Sequence, residues 1–144
     1  MTPAALSGGA HADALRFIGD HHRAVLATRR RDGEVQLSPV LAAVDADGRA
    51  IVSTRETAMK TRNLRRDPRA WLCVMSDGFF GEWHTVEGTA EILSLPVAME
   101  PLVDYYRRVS GEHPDWDEYR DAMTNEGRVL VRITVERSGP TQSG

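Results

Sequence analysis

The means of cross-linking the chain are missing: a single cysteine, Cys73, stands in 144 residues. An internal disulfide is excluded, and a lone thiol suits a reducing compartment such as the cytoplasm. Cys73 stands among apolar residues (Trp71, Leu72, Val74) and reads as inert core. No run of eighteen apolar residues occurs, so no transmembrane helix is expected. The first ten residues lack the basic and apolar regions of a signal peptide and read as a flexible start. Lysine is almost absent; Lys60 is the only one among eighteen basic residues. A net charge of −3 and a pI near 5.9 argue against a general nucleic-acid or membrane-surface binder. Metal-ligand spacing is missing as well. His21-His22 are adjacent, and adjacent strand residues point to opposite faces, so no metal site is expected.

What positive charge there is gathers in one place. Between Ser53 and Ala70 lie Arg55, Lys60, Arg62, Arg65, Arg66 and Arg69, against only Glu56 and Asp67. The stretch separates two apolar runs, Ala50 to Val52 and Trp71 to Val74. Thr57 can cap a helix beginning at Ala58, and Asp67-Pro68 stops it, because proline disfavours helical geometry in the residue before it. A short basic helix between two strands follows, with hydroxyls and Arg55 upstream and Lys60 in its first turn. Such an N-terminus suits a phosphate, through unpaired N–H groups and the positive end of the dipole. The same charges also read as a solvated helix face.

A chain of this length is one domain, able to bury roughly 68–70% of its unfolded surface. We place the domain at residues 11–137, with a disordered polar tail over 138–144. His11 to Asp20 has helical periodicity. Arg23 to Thr28 and Val35 to Val44 form a hairpin across Asp32-Gly33, with Pro39 marking an edge or bulge. Arg49 to Ser53, Arg69 to Met75, Glu82 to Leu93 and Arg128 to Glu136 supply four further strands, and Gly88 marks a bend or close backbone approach. Helices are expected over Pro96 to Val109, capped by Ser94 and kinked at Pro101, and over Asp115 to Met123. Six antiparallel strands joined mostly by tight turns should close on themselves to remove their edges. The fold expected is mainly β: a barrel of about six antiparallel strands with flanking helices.

These residues resemble a known family. Val25-Leu26-Ala27-Thr28, Asp32-Gly33 and Gln36-Leu37-Ser38 are similar to the first hairpin of the pyridoxamine 5′-phosphate oxidase-like split β-barrels. The run Lys60 to Arg69 resembles the signature of an actinobacterial branch that uses the deazaflavin coenzyme F420, and Val86 to Ala90 resembles that branch's long strand. Tyr106-Arg107, Gly111-Glu112-His113, Asp115-Trp116 and Tyr119-Arg120 are similar to its later helices. The resemblance runs from about Leu15 to Val135. It implies a homodimer with the cofactor in a groove at the subunit interface. It implies that Ser53, Thr54 and Lys60, with Arg55 and Asn63 nearby, hold the phosphate and anionic tail. Gln36, Ser38 and the rest of that strand would lie against the ring system.

FMN carries one phosphate, whereas F420 adds a phosphodiester and glutamate carboxylates. The spread of arginine from Arg55 to Arg69 leans toward the longer anion, with FMN as the alternative, because arginine forks onto carboxylate and phosphate. The expected activity is hydride transfer between the deazaflavin ring and an unsaturated small molecule, with solvent, Tyr106 or His84 as proton donor. The alternatives are an FMN enzyme of the oxidase type, or a non-catalytic flavin, deazaflavin or haem carrier. Trp71 and Trp83 read as core or dimer-interface residues. Phe79-Phe80, in a Gly-flanked loop, read as a ligand or subunit contact.

Overall fold

A computed structural model describes residues 9–78 and 80–139. The expected flexible start, the tail and Phe79 fall wholly or largely outside those residues. Ten elements follow in order: α1 (Ala12–Asp20), β1 (Arg23–Arg29), β2 (Val35–Val44), β3 (Ala50–Arg55), α2 (Met59–Arg66), β4 (Arg69–Met75), β5 (Trp83–Leu93), α3 (Met99–Ser110), α4 (Trp116–Glu126) and β6 (Arg128–Ser138). The strands close into an antiparallel barrel in the order β1-β2-β3-β6-β5-β4.

Strand alternation builds two cores. Inward residues such as Leu26, Val52, Leu72, Val86 and Ile133 fill the barrel, joined by Leu15 and Ile18 of α1 and Leu64 of α2. Outward residues Ala43, Ile51 and Leu130 of β2, β3 and β6 pack instead beneath Leu102, Val103, Tyr119 and Met123 of α3 and α4. On the outer face of β1, β4 and the Val35–Leu41 part of β2, outside that helical cover, Val35, Leu37, Leu41 and Met75 are exposed. Cys73 lies on this outer side and is half-buried, so it is not a core residue; β4 buries its even-numbered positions instead. Trp71 also faces outward, between the guanidinium groups of Arg29 and Arg69.

Gly88 occupies the position where backbone approaches backbone. The β5–β6 register shifts between Glu87 and Gly88, and a Cβ at Gly88 would collide with the carbonyl oxygen of Thr134.

Several element ends differ from expectation. α2 begins at Met59 with Ala58 as cap residue, not at Ala58 with Thr57 as cap, because Arg55 to Ala58 forms a tight turn: the Ala58 N–H donates to the Arg55 carbonyl at 3.1 Å. The Thr61 hydroxyl donates to the same carbonyl at 2.6 Å. α3 begins at Met99. The Ser94 hydroxyl is engaged with Arg65 at 3.0 Å rather than capping that helix. Pro101 therefore falls in the first turn, where a missing N–H breaks no intrahelical bond. α4 opens on Asp115, whose carboxylate accepts from the Glu118 N–H, and closes on left-handed Gly127.

Candidate cofactor groove at the β2–β3 split

β2 and β3 pair only over Ala42–Val44 against Val52–Ala50. From Leu41 back to Val35, β2 pairs with β1 alone. Its other edge is open, and Pro39, lacking an N–H, sits on that edge strand without breaking a ladder. The next pair in register would be Leu41 with Ser53. Tyr105 of α3 enters there: its hydroxyl donates to the Leu41 carbonyl at 2.7 Å, and its phenol oxygen in turn accepts from the Ser53 backbone N–H. Burial pushes the Tyr105 phenol above its ordinary value.

Beside this wedge lies a cavity of about 760 Å³. Pro39, Leu41, Met75 and Met123 make it largely apolar; Ser53, Tyr106 and Arg128 bring polar groups to it. The Tyr119 hydroxyl donates to the Leu102 carbonyl at 2.8 Å, and burial pushes its pKa up to about 12. Arg128 donates from Nε to Glu126 at 2.9 Å, and Arg55 reaches the same carboxylate oxygen at 3.4 Å. The Arg128 bond holds the Glu126 carboxyl below its ordinary value, with Arg55 adding to the effect.

A second cleft, of about 510 Å³, opens between α2 and the β1–β2 turn. Arg30, Arg31, Arg62 and Arg66 line it with Met59 and Asp32. Asp32 Oδ1 accepts from the Glu34 N–H, and Arg66 donates to the Arg29 carbonyl at 2.7 Å. Arg30, Arg31, Arg62 and Lys60 make no ion pair with any described residue. Unpaired guanidinium groups crowded at one end of a net-acidic chain provide for an anion.

The residues singled out from sequence divide by the side they face. Ser53 is outward and lines the cavity. Thr54, one residue on, faces the barrel interior and is buried, so only its backbone can reach the groove. Arg55 is outward and exposed, and Lys60 is half-exposed at the start of α2. Ser38 faces inward and is buried. Asn63 is 1% exposed and donates from Nδ2 to Thr28 Oγ1 and Gln36 Oε1, both at 3.1 Å, while its Oδ1 accepts from Arg66. Asn63 and Gln36 thus tie α2 to the hairpin, Gln36 through its Oε1. Of the basic run, Arg65 is engaged with Glu56 at 2.8 Å, and Arg69 with Glu136 and Glu87. Tyr106 lines the cavity. His84 does not: it is buried beside Phe17 in a different recess, with Nε2 on Glu82 at 2.7 Å. His22 is engaged with the Ala42 carbonyl and His21 stacks on Phe17, so the pair points to separate partners. Phe80 is exposed.

Tyr105, Arg128, Arg30 and Arg31 went unnoticed in the sequence. The doubled tyrosine and the run Arg29-Arg30-Arg31 beside a turn were the available signals.

Residues 10–141 match the model of the pyridoxamine 5′-phosphate oxidase family. The chain belongs to that family. Among solved structures it is similar to the conserved hypothetical protein Rv2991 of Mycobacterium tuberculosis, at 29% identity and a TM-score of 0.74, covering 100% of this chain and 97% of that one. It is also similar to an F420 reductase, at 20% identity and a TM-score of 0.66 over 86% of this chain and 94% of the other. HutZ, the haem storage protein of Vibrio cholerae, aligns at 16% identity and a TM-score of 0.66 over 92% and 94%. At those two lower identities the likeness is one of fold. The family includes oxidoreductases and binds flavin-type cofactors. Among the described residues no helix is long and apolar enough to cross a membrane.

Proposed function

We propose that this chain is an F420-dependent oxidoreductase acting on an unsaturated small molecule. The observation that carries the reading is the open edge of β2, which has an apolar cavity at its Leu41 end and an arginine cleft beyond its Val35 end. Seven extended residues span roughly 20 Å, a length suited to a ring system joined to a long anionic tail. Ser53, Arg55 and Lys60 offer side chains along that track, and Thr54 its backbone. Arg30, Arg31, Arg62 and Arg66 hold the far end. FMN, with one phosphate, would leave that cleft unused.

When bound, the deazaflavin supplies a hydride from its ring C5. The chain orients ring and substrate in the cavity and narrows water's access with Tyr105, Tyr106 and Met123. The proton required after transfer comes from Tyr106 or solvent, since His84 faces another recess.

The exposed face formed by Val35, Leu37, Leu41 and Met75 supports a homodimer in which a second copy covers it and completes the groove. A free thiol at Cys73 suits the cytoplasm.

Oxidation of reduced F420, followed spectroscopically with a panel of quinones, enones and tetrapyrroles, tests the reading. Turnover supports it. Tight F420 binding with silence across the panel overturns turnover in favour of a carrier.

A further inference from the structure

We propose that the cavity beside Tyr105 takes an amphipathic organic acid: an apolar body in the chamber and its carboxylate on Arg128, in the place now held by Glu126. This names the substrate class for the chamber and rests on reading it as the substrate site.

The chamber's polar equipment is one-sided. The Tyr105 and Tyr119 hydroxyls are already engaged with backbone carbonyls. The Ser53 and Tyr106 hydroxyls bond no described residue and leave donors at a largely apolar lining; of its two guanidinium groups, Arg23 is exposed and lies 3.6 Å from Asp77, and Arg128 is half-buried and paired with Glu126. Donors without acceptors call for a ligand that brings an acceptor, and a half-buried guanidinium prefers one that is charged.

Glu126 shows which chemistry fits. One of its carboxylate oxygens receives Arg128 through both Nε and Nη2 at 2.9 Å, and Arg55 at 3.4 Å. Yet Glu126 is the last residue of α4, where the helix dipole opposes a negative charge. It is also one-third exposed and sits two residues from Arg128 in the chain, so it can swing outward while the guanidinium stays on the strand. A carboxylate in an unfavourable place, held there by the two arginines, is an internal stand-in for an incoming one.

The test uses the full chain without cofactor, so that its outcome is separate from the F420 reading. The probe is 1-anilinonaphthalene-8-sulfonate, an apolar ring system bearing one acid, titrated beside N-phenyl-1-naphthylamine, the same rings without it. The wild type should prefer the sulfonate by about tenfold, the usual worth of a hydrogen bond to a charged group. Arg128→Met should abolish that preference while leaving the neutral amine's affinity unchanged. Glu126→Gln, which leaves Arg128 in place, should tighten the sulfonate several-fold. Arg31→Ser, in the other cleft, should change neither. Equal binding of the two probes by the wild type, survival of the preference in Arg128→Met, no tightening in Glu126→Gln, or loss of the preference in Arg31→Ser would each overturn the proposal.

Discussion

The hydroxyl of Tyr105 donates to the carbonyl oxygen of Leu41 at 2.7 Å, at the point where β2 and β3 part. A barrel ladder normally runs on until turn or sheet geometry ends it. Here a side chain from an outer helix takes the next rung, so the split is held open by a bond and not by a gap in the sequence. Tyr105→Phe keeps the ring and removes the rung. It should cost about 1 kcal/mol in urea unfolding, the usual net worth of one hydrogen bond. It should also speed hydrogen exchange at the Ser53 amide relative to Ile51. Unchanged stability and exchange would show that the wedge carries no load.

Gly88→Ala places a methyl group, fixed rigidly to the β5 backbone, against the backbone carbonyl of Thr134 in β6, which cannot yield as a flexible side chain would. Overpacking of this kind costs about 1–3 kcal/mol or more. The variant should unfold at clearly lower denaturant than the wild type, whereas an unaltered midpoint would contradict the β5–β6 bulge geometry.

Much of the architecture was legible because it rests on local signals. β2 was bounded at Val35 and Val44 by turn residues on both sides, and Gly88 and Pro39 each announced their positions by what they lack. β3 ran two residues past its expected end, because Thr54 and Arg55 continue the alternation and pair with Val129 and Arg128 of a strand far along the chain. The basic stretch was legible as charge but not as arrangement. Arg65 and Arg69 turned to nearby acids, while Arg62 and Arg66 met Arg30 and Arg31 across a cleft that only the fold creates. Strand parity likewise decided that Ser53 faces the groove and Thr54 does not, which required the register.

Glu56 and Arg65 clasp the turn that leads into α2. The hydrogen bond from Arg65 holds the Glu56 carboxyl below its ordinary value of 4.5. A lowered carboxylate contributes stability above the unfolded value, and that contribution is lost as pH falls through the folded one. Both side chains are more than a third exposed, so the contribution is under about 1 kcal/mol. Glu56→Gln should therefore melt slightly below the wild type at neutral pH and together with it well below pH 4.5. A constant difference across that range would assign the effect to packing.

Leu37 is 66% exposed on the uncovered face of the sheet. If a second copy covers that face, Leu37→Glu buries a charge at the interface and should convert the protein to a monomer in sedimentation analysis. A wild type that sediments as a monomer, or a Leu37→Glu variant that remains a dimer, would remove this face from the interface.

The account's central claim is that the open β2 edge holds a long anion running from the tyrosine chamber to the arginine cleft. Parallel titrations of the wild type, Lys60→Ala and Arg31→Ser with F420 and with FMN, at physiological salt, test it most directly. The account predicts tight F420 and weak FMN binding by the wild type, and a loss of about tenfold in F420 affinity for each variant, with FMN little affected by Arg31→Ser. Tighter binding of FMN than of F420, or F420 affinity indifferent to both substitutions, would contradict it.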